Sequence, residues 1–330
     1  MKRRGMGIGT MFYGIGNTGH PNPASAFVEI LADGTAIVLS GAADIGQGSD
    51  TVLVQIAAEE LGISIEEVCI VSADTGVTPE SGHTSASRQT YISGNAVRSA
   101  AREAKRVLLE SAAEELETSV EELVAQGGKI YPSKEPDRWL SIREVAGRCR
   151  REGLLAIGSG FFNPQTTKLD PETGQGEPYA TYAFATHIAE VEVDTETGQV
   201  EILRIVAAHD VGKAINPRGI AGQITGGIAM GIGFALMEEF RLQQGASETV
   251  SLETYLIPTI QDIPEIAFIV VEEQEETGPF GAKGVGEPAM IPTAPAIVNA
   301  IYDAIGVRIT ELPVTPEKIL TGLKRMRNQT

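Results

Sequence analysis

One pattern that occurs in both halves of this 330-residue chain constrains its fold more than any other feature. In the first half, residues 26–31 alternate in the manner of a strand with one buried face, and residues 35–39 form a second strand-like run. Asp33-Gly34 lies between them and predicts a two-residue hairpin turn. A glycine-bearing loop follows, and residues 50–61 then carry apolar side chains at helical spacing.

The second half repeats this order of strand, turn, strand, loop and helix. Residues 188–193 and 200–206 predict two strands around a turn at 194–198, and residues 220–237 predict a helix. The sequence therefore predicts an α+β protein with two α/β lobes rather than a solenoid. Residues 160–178 are loop-like and rich in Gly, Pro, Thr and Asp, so we expect the lobe boundary there.

Further helix starts are marked by capping boxes, in which a Ser or Thr is followed three residues later by Glu. The pairs are Ser64 with Glu67, Thr118 with Glu121 and Ser141 with Glu144, and Thr315-Pro316 predicts the start of the last helix. A long helix is predicted between about residues 93 and 116. We expect an N-terminal segment 1–25 that joins the second lobe, a first lobe 26–160, a connector 161–178 and a second lobe 179–330.

The charge balance argues against two classes of partner. There are 44 acidic and 26 basic residues, a formal net charge of −18. Nucleic acids and anionic membrane surfaces both require basic protein surfaces, so neither is expected as a partner. The predicted helix 220–237 is strongly apolar, but Gln223, Thr225 and five glycines interrupt it, so we expect a buried helix rather than a membrane span. Residues 1–5 are basic with no apolar stretch behind them, which predicts a cytoplasmic location.

The cysteines and histidines do not form a metal-binding pattern. Cys69 and Cys149 are isolated, with no C-x-x-C pair for zinc or an iron–sulfur cluster, and we expect both to be small buried apolar residues. The four histidines are also far apart in sequence, at His20, His83, His187 and His209. We therefore expect no metal ligand among the protein side chains, and any metal to arrive on a cofactor.

Glycine makes up 37 of the 330 residues, about 11%, against a usual share of about 7%. Much of the excess lies in loops that also carry small polar side chains. Glycine lets backbone amides approach a ligand closely, and a helix N-terminus favours anionic groups. A tight strand-to-helix turn would explain the first of these loops, whereas a cluster of helix caps would explain one Ser or Thr of the second but not the whole run. These loops are residues 41–48, residues 74–89, residues 209–217 followed by Gly222-Gln223, and residues 278–288.

Glu287 stands at the end of the last of these loops and is followed by Pro288. A carboxylate surrounded by bare backbone can be desolvated, which raises its pKa and makes it a usable general base. The alternative interpretation, a surface Glu in a flexible loop, is equally compatible with this segment alone.

Taken in order, the four loops resemble those of the molybdenum-binding subunit of the xanthine dehydrogenase/aldehyde oxidase family of molybdenum hydroxylases. The resemblance rests on residues 41–62, with Gly46-Gln47-Gly48 and the helix after it, on residues 84–89, on residues 209–216 with Gly222-Gln223, and on residues 281–288. It covers nearly the whole chain. It implies the fold of the C-terminal, molybdopterin-binding half of that subunit.

The resemblance also implies a cofactor and the residues that bind it. The cofactor would be molybdopterin cytosine dinucleotide carrying molybdenum with a sulfido or selenido ligand. Glu287 would be the catalytic base, and Gln223 would lie near the oxo ligand of the metal. The remaining cofactor-binding residues would be Gly46, Gln47, Gly48, Ser85, Ala86, Ser87, Arg88, Gln89, Lys283, Gly284, Val285 and Gly286.

Length departs from the family pattern, because the molybdenum subunit is normally about twice as long. The resemblance therefore implies a partner polypeptide that carries the N-terminal half. Such a split resembles selenium-dependent nicotinate dehydrogenases of anaerobic bacteria, in particular their medium molybdopterin subunit. It predicts hydroxylation of an N-heteroaromatic ring with water as the oxygen source, such as nicotinate to 6-hydroxynicotinate. Electrons would pass through 2Fe-2S and FAD subunits to NADP.

Other functions remain open at this point. A family member acting on xanthine, another purine or an aldehyde would share these motifs, and a carbon monoxide dehydrogenase fits less well. A non-catalytic cofactor-assembly protein is the alternative from another class, and retention of Glu287, Gln47 and Gln223 argues against it. An ordinary dinucleotide-binding domain is disfavoured because no strand leads into G-x-G-x-x-G.

Overall fold

The structure is a computed structural model that describes residues 1–328. The chain divides into two compact units, each assembled from more than one stretch of sequence. Unit 1 consists of Met1–Tyr13, Tyr182–Glu273 and Val285–Thr330, and unit 2 consists of Gly14–Thr181 and Gln274–Gly284.

Strands and helices are numbered in chain order. The strands are β1 Lys2–Gly14, β2 Ala24–Ile30, β3 Ala36–Ser40, β4 Val68–Ser72, β5 Leu123–Gln126, β6 Lys129–Pro132, β7 Leu140–Ser141, β8 Ala156–Phe162, β9 Tyr182–Asp194, β10 Val200–Asp210, β11 Leu242–Gln243, β12 Ala246–Ser247 and β13 Glu265–Val271. The helices are α1 Ser49–Leu61, α2 Gly94–Glu115, α3 Ile142–Arg151, α4 Pro217–Leu236, α5 Thr293–Ile305 and α6 Pro316–Arg327.

Unit 2 is built on a four-stranded sheet of order β4-β3-β2-β8, with a small sheet β5-β6-β7 beside it. Strand β2 is antiparallel to β3 and β8, whereas β3 is parallel to β4. Helix α2 packs on β2 and β8. It lies so close that a Cβ atom on Gly160 would be 1.9 Å from the carbonyl oxygen of Ala96, so this strand position requires glycine.

Unit 1 has a four-stranded sheet of order β1-β9-β10-β13, in which β10 is antiparallel to β9 and parallel to β13. Its core lies between this sheet and the helices α4, α5 and α6. Both sheets thus contain an antiparallel strand pair, then a helix, then a strand parallel to the second member of the pair. This order confirms the predicted repeat and the α+β fold.

The local predictions have mixed outcomes. Ser141 and Glu144 form the predicted capping box at α3, and Thr315 caps α6. The predicted box of Thr118 with Glu121 is wrong, because the short 3₁₀ turn there is Val120–Glu122 with Ser119 at its N-cap.

The two-residue hairpin at Asp33-Gly34 is also wrong. The amide of Leu31 donates to the carbonyl of Thr35 at 2.8 Å, so the loop has three residues, 32–34. Gly34 adopts a φ of +87°, the left-handed conformation that such three-residue loops require. The expectation of two buried cysteines holds for Cys149 only, since Cys69 is exposed on β4.

The boundaries of the units differ from the predicted lobes. Residues 14–25, 161–181 and 274–284 all belong to unit 2. The last of these segments is held in unit 2 by Thr277, whose hydroxyl lies 2.7 Å from Tyr91 Oη and whose carbonyl accepts from Asn95 at 2.8 Å. These contacts join residues about 180 positions apart, so no local signal in the sequence could mark them.

Helix α4 is the one helix within residues 1–328 that is long and apolar enough to cross a membrane, by length and composition alone. This is weak evidence for a span, because buried helices of soluble proteins have the same character. Ile224, Ile228 and Ile232 of α4 are at most 1% exposed and form part of the core of unit 1.

Glu60 of α1 is a buried carboxylate that binds Arg98, Arg102 and Lys105 of α2. Burial raises the pKa of this carboxyl, but the hydrogen bonds and charges of the three bases outweigh burial and hold its pKa below the ordinary 4.5. A carboxyl with a lowered folded-state pKa stabilises the fold above about pH 4.5, and this contribution is lost as the pH falls through the folded-state pKa.

We therefore expect Glu60→Gln to lower the free energy of unfolding at pH 7 by on the order of 3 kcal/mol, because it leaves three bases without their carboxylate. The difference from wild type should shrink below pH 4. Urea unfolding at both pH values measures this. Glu110→Gln, which removes an exposed ion pair with Arg106, serves as control and should change the free energy by less than about 0.5 kcal/mol. An equal loss at pH 7 and pH 3 would contradict the ion-pair explanation.

Candidate functional site

In unit 2, the loop Gly46-Gln47-Gly48 precedes α1 and exposes its backbone. Gly46 and Gly48 adopt φ values of +107° and +84°, and a Cβ atom on either would meet no atom within 4 Å. The Gln47 side chain is held inside the loop: Oε1 accepts from Ile45 N at 2.7 Å, and Nε2 donates to Ala43 O at 3.2 Å and Ser49 Oγ at 2.8 Å. The loop therefore leaves open space beside both glycine Cα atoms, next to an oriented amide.

The N-terminus of α1 differs from the expected anion site. The Asp44 carboxylate accepts from the amides of Gly46 at 2.8 Å, Gly48 at 3.3 Å and Asp50 at 3.1 Å. Burial raises the pKa of Asp44, but these backbone hydrogen bonds outweigh it and lower the pKa below its usual value. A carboxylate of the chain itself thus holds the amides that we expected to be open to a ligand anion.

The second predicted loop, Ser85 to Gln89, contains a strained backbone. Ala86 and Ser87 both adopt a φ of +53°, an uncommon conformation for residues other than glycine. Two contacts hold it: Ala86 O accepts from Gly16 N at 2.9 Å, and Gly284 lies against the Ser87 carbonyl. A Cβ atom on Gly284 would be 1.8 Å from Ser87 O, so the structure brings these two predicted cofactor segments into direct contact.

Arg88 does not present its side chain to a ligand. It is 1% exposed, and its guanidinium donates to four backbone carbonyls, those of Asn22, Pro23, Ser81 and His83. Burial lowers the pKa of Arg88. The side chain therefore ties two loops together, and cofactor binding by Arg88 stays a prediction.

Gln89 is likewise buried and oriented by its neighbours. Its Nε2 donates to Thr84 Oγ1 at 2.9 Å and to His83 O at 3.3 Å, and its Oε1 accepts from Ser93 Oγ. Thr84 Oγ1 in turn donates to Ala43 O, which also accepts from Gln47. The two predicted glutamines of unit 2 are therefore linked through one carbonyl and one hydroxyl. Ser85, by contrast, is exposed at the start of this loop.

Lys283 is another predicted residue that is buried in unit 2, with 8% of its surface exposed. Its charge acts on Glu275, whose carboxylate accepts from Thr181 Oγ1 and from Thr277 Oγ1 at 2.7 Å. Burial raises the pKa of Glu275, but the hydrogen bonds, with a smaller contribution from Lys283, outweigh burial and lower its pKa.

In unit 1, Gln223 and Glu287 lie on elements that pack against each other. Gln223 is half-buried in α4, and Gly227 follows it by four residues on the same helical face. A Cβ atom on Gly227 would be 2.7 Å from Ala289, in the 3₁₀ turn Glu287–Ala289. The glycine lets α4 approach the turn that carries Glu287. Val285 and Gly286 are half-buried just before that turn.

Glu287 itself is exposed. The expected burial by the surrounding glycine backbone is therefore not provided by residues 1–328. Its main chain is well anchored, since its carbonyl accepts from Met290 N at 3.0 Å and from Ile291 N at 3.4 Å.

A buried pair of histidines was not predicted from the sequence. His187 of β9 and His209 of β10 are at most 1% exposed, and their Nε2 atoms lie 2.7 Å apart. His187 Nδ1 lies 3.0 Å from Thr293 Oγ1. Burial lowers the pKa of His187 to about 3, with a smaller effect of His209, and lowers that of His209 to about 4. The sequence did carry a signal for their burial. The residues two positions away from each histidine, which lie on the same face of its strand, are apolar.

Each unit by itself carries residues that fit a polar ligand. In unit 2, the glycine loop is open where a Cβ atom on Gly46 or Gly48 would stand, while the amides of both glycines are held by Asp44. In unit 1, the Gln223 amide lies on the face of α4 that carries Gly227. Among residues 1–328, no group of three or more His, Cys, Asp or Glu side chains is placed to hold a metal ion.

Comparison with known proteins decides the family. Residues 1–264 match the family described as the molybdopterin cofactor-binding domain. The chain belongs to this family. It is also homologous to molybdenum-binding subunits of the xanthine dehydrogenase and aldehyde oxidoreductase type, as the resemblance predicted.

Three similar proteins represent this relationship. The xanthine dehydrogenase molybdenum-binding subunit of Escherichia coli O157:H7 is 36% identical over 324 residues, which cover 96% of this chain and 42% of the relative. The 6-hydroxypseudooxynicotine dehydrogenase complex subunit gamma of Paenarthrobacter nicotinovorans is 34% identical, with 89% of this chain and 37% of the relative covered. The crystal structure of quinoline 2-oxidoreductase from Pseudomonas putida 86 matches with a TM-score of 0.87 and 30% identity, covering 98% and 42% of the two chains.

This chain thus spans about two fifths of the length of the proteins that it resembles. The names of the two curated relatives describe subunits of larger enzymes. The structural match extends over nearly all of the chain, so the α+β fold of both units is that of the molybdenum hydroxylases.

Proposed function

We propose that this chain is the part of a molybdenum hydroxylase that binds molybdopterin cytosine dinucleotide and supplies the catalytic base, Glu287. The observation that carries the proposal is the packing of Gly227 of α4 on the turn Glu287–Ala289, because it holds the proposed base close to the helix that carries Gln223. When bound, the molybdenum cofactor would supply the redox chemistry.

The residues of this chain have distinct proposed roles. In unit 2, the open side of the loop at Gly46, Gln47 and Gly48 and the loop at Ala86 and Ser87 bind the pterin and its phosphates. Lys283 and Gly284, with Gln89, hold this binding surface in shape, and Ser85 lies at its exposed edge. In unit 1, the Gln223 amide binds a polar ligand of the metal, Val285 and Gly286 approach the cofactor through their backbone, and Glu287 accepts a proton from water as the substrate is hydroxylated.

We propose an N-heteroaromatic substrate, with conversion of nicotinate to 6-hydroxynicotinate as the specific reaction. Two of the similar proteins are named for 6-hydroxypseudooxynicotine and quinoline, which supports an N-heterocycle. Xanthine or another purine is the second candidate, because the E. coli relative is named for it. An aldehyde is the third.

The proposed complex needs further polypeptides. No group of Cys or other ligands in residues 1–328 could hold an iron–sulfur cluster or a metal, so 2Fe-2S and FAD subunits would carry electrons onward, with NADP as final acceptor. We propose a cytoplasmic complex in which a second polypeptide supplies the remainder of the relatives' length. In the same proposal, the metal carries a sulfido or a selenido ligand.

An exposed apolar segment in unit 1, residues 240–260, is the proposed docking site for that second polypeptide. We call it the apolar arm. It has little regular structure, and six of its large apolar side chains are between 55% and 88% exposed, which is unusual for a free surface. These side chains are Phe240, Leu242, Val250, Leu252, Leu256 and Ile260.

Charge introduced into the apolar arm tests this interface. We expect Leu252→Asp with Ile260→Asp to abolish co-purification of the second polypeptide without unfolding the chain, because both side chains are already exposed. The double change Glu248→Gln and Glu253→Gln, in the same arm, should leave co-purification intact. Normal assembly of the aspartate variant would exclude the arm as the docking site.

The function itself is tested on the complex purified from its native host. We expect molybdenum by elemental analysis, cytidine monophosphate after acid hydrolysis, and incorporation of ¹⁸O from labelled water into 6-hydroxynicotinate. Xanthine and benzaldehyde are the comparison substrates. Faster turnover of either would replace nicotinate as the substrate. Molybdenum without turnover of any of them would favour the cofactor-assembly role.

A further inference from the structure

Three side chains form a buried polar chain that connects the sheet of unit 1 to the start of α5. His209 contacts His187, and His187 contacts Thr293 at the first residue of α5. All three are at most 1% exposed. Polar groups at such depth are costly unless they pair with one another.

The geometry of the pair constrains its protonation. A contact of 2.7 Å between two Nε2 atoms requires one nitrogen to donate and the other to accept, so the accepting imidazole is neutral. Burial lowers the pKa of both rings and favours the neutral form of the donor as well. If His187 Nε2 donates, its Nδ1 accepts from the Thr293 hydroxyl, and if His187 Nε2 accepts, its Nδ1 donates to Thr293 Oγ1. Either tautomer leaves the three groups as one continuous chain with a defined direction.

Thr293 is the point at which three elements meet. Its side chain reaches β9 through His187, and Gly231 of α4 packs so closely that a Cβ there would lie 2.5 Å from Thr293 Cβ. Its amide donates to Met290 O at 3.1 Å, and the amide of Met290 donates to Glu287 O at 3.0 Å. The sheet, the helix that carries Gln223 and the turn that carries Glu287 are therefore connected through this one residue.

We propose that His209, His187 and Thr293 are positioning residues that fix the turn bearing Glu287. The carboxylate lies on a short 3₁₀ turn, and the main-chain hydrogen bonds of that turn contribute to its placement. A displacement of about 1 Å of a catalytic group can lower a rate by about 100-fold. The role of Glu287 in this inference rests on the proposed function. The hydrogen-bonded chain itself does not depend on that function.

A matched pair of substitutions distinguishes the effect of the Thr293 hydroxyl from the effect of the side-chain volume. Thr293→Val keeps the volume and removes the hydroxyl, whereas Thr293→Ser keeps the hydroxyl. In the complex containing the Val variant, we expect amide hydrogen exchange in residues 287–293 to rise by about tenfold or more. We expect kcat to fall by about tenfold to 100-fold with KM unchanged. The Ser variant should stay within about twofold of wild type in both measurements.

Three results would overturn the proposal. These are wild-type exchange and kcat in the Val variant, a Ser variant as impaired as the Val variant, or a fall in kcat accompanied by an equal rise in KM. If Thr293→Val does not fold, His209→Phe tests the far end of the same chain, and unchanged exchange at 287–293 would then refute the connection. Because exchange is independent of turnover, it still reports on positioning if the proposed reaction is not found.

Discussion

Glu287→Gln is expected to lower kcat of the assembled complex by at least about 10²-fold, the lower end of what a general base contributes. The substitution is isosteric and replaces the proton-accepting carboxylate with a neutral amide. Because the side chain is exposed and the turn is held by main-chain hydrogen bonds of Met290 and Ile291, the fold should be unaffected. Steady-state turnover with the preferred heterocycle and an artificial electron acceptor measures the effect.

Molybdenum content is the necessary companion measurement. It should equal that of wild type in Glu287→Gln, because the cofactor-binding residues proposed above are unchanged. Glu276→Gln alters another exposed carboxylate close in sequence and should retain full turnover. Full activity of the Glu287→Gln enzyme would disprove the base assignment, whereas an inactive enzyme that has lost its molybdenum would point to a role in cofactor retention.

Arg88→Met should destabilise unit 2 by on the order of 3 kcal/mol, the second large effect that we expect. The substitution removes four hydrogen bonds to backbone carbonyls and leaves these acceptors in a buried setting. Relief of the cost of burying the guanidinium offsets part of the loss. For a unit of this size the melting temperature should fall by about 6–12 °C, measured by calorimetry.

Arg102→Met is the matched control, because Arg102 is 61% exposed and makes an ion pair at 3.5 Å with Glu60. Its loss should cost less than about 1 kcal/mol. If Arg88→Met melts like wild type but binds less cofactor, the guanidinium contacts the cofactor, as the cofactor-binding role that the resemblance implies would allow.

Some features of the predicted site residues could be read from the local sequence, and others could not. Gly46, Ser87 and Gly284 were selected because glycine and small polar residues in a loop indicate close approach of backbone, and the structure places Ser87 and Gly284 in contact. Arg88 lies in the same run, yet its partners at residues 22–23 are about 65 positions away, so the run could not show that its side chain is internal.

The histidine pair and the boundaries of the units also could not be predicted from local sequence. His187 and His209 are 22 residues apart and become neighbours only because β9 and β10 pair in one particular register. Residues 274–284 lie in unit 2 because Tyr91 and Asn95 bind Thr277. Neither arrangement has a signature within a short window of sequence.

The amino-acid sequence by itself determined the repeated order of strands and helices, the glycine loops and the family, because periodicity and backbone conformation depend on neighbouring residues. Tertiary structure alone decided which polar groups are buried together: the carbonyls around Arg88, the amides around Asp44, and the chain from His209 to Thr293. These pairings depend on strand register and on helices packing at glycine positions, and such contacts join residues that are distant in sequence.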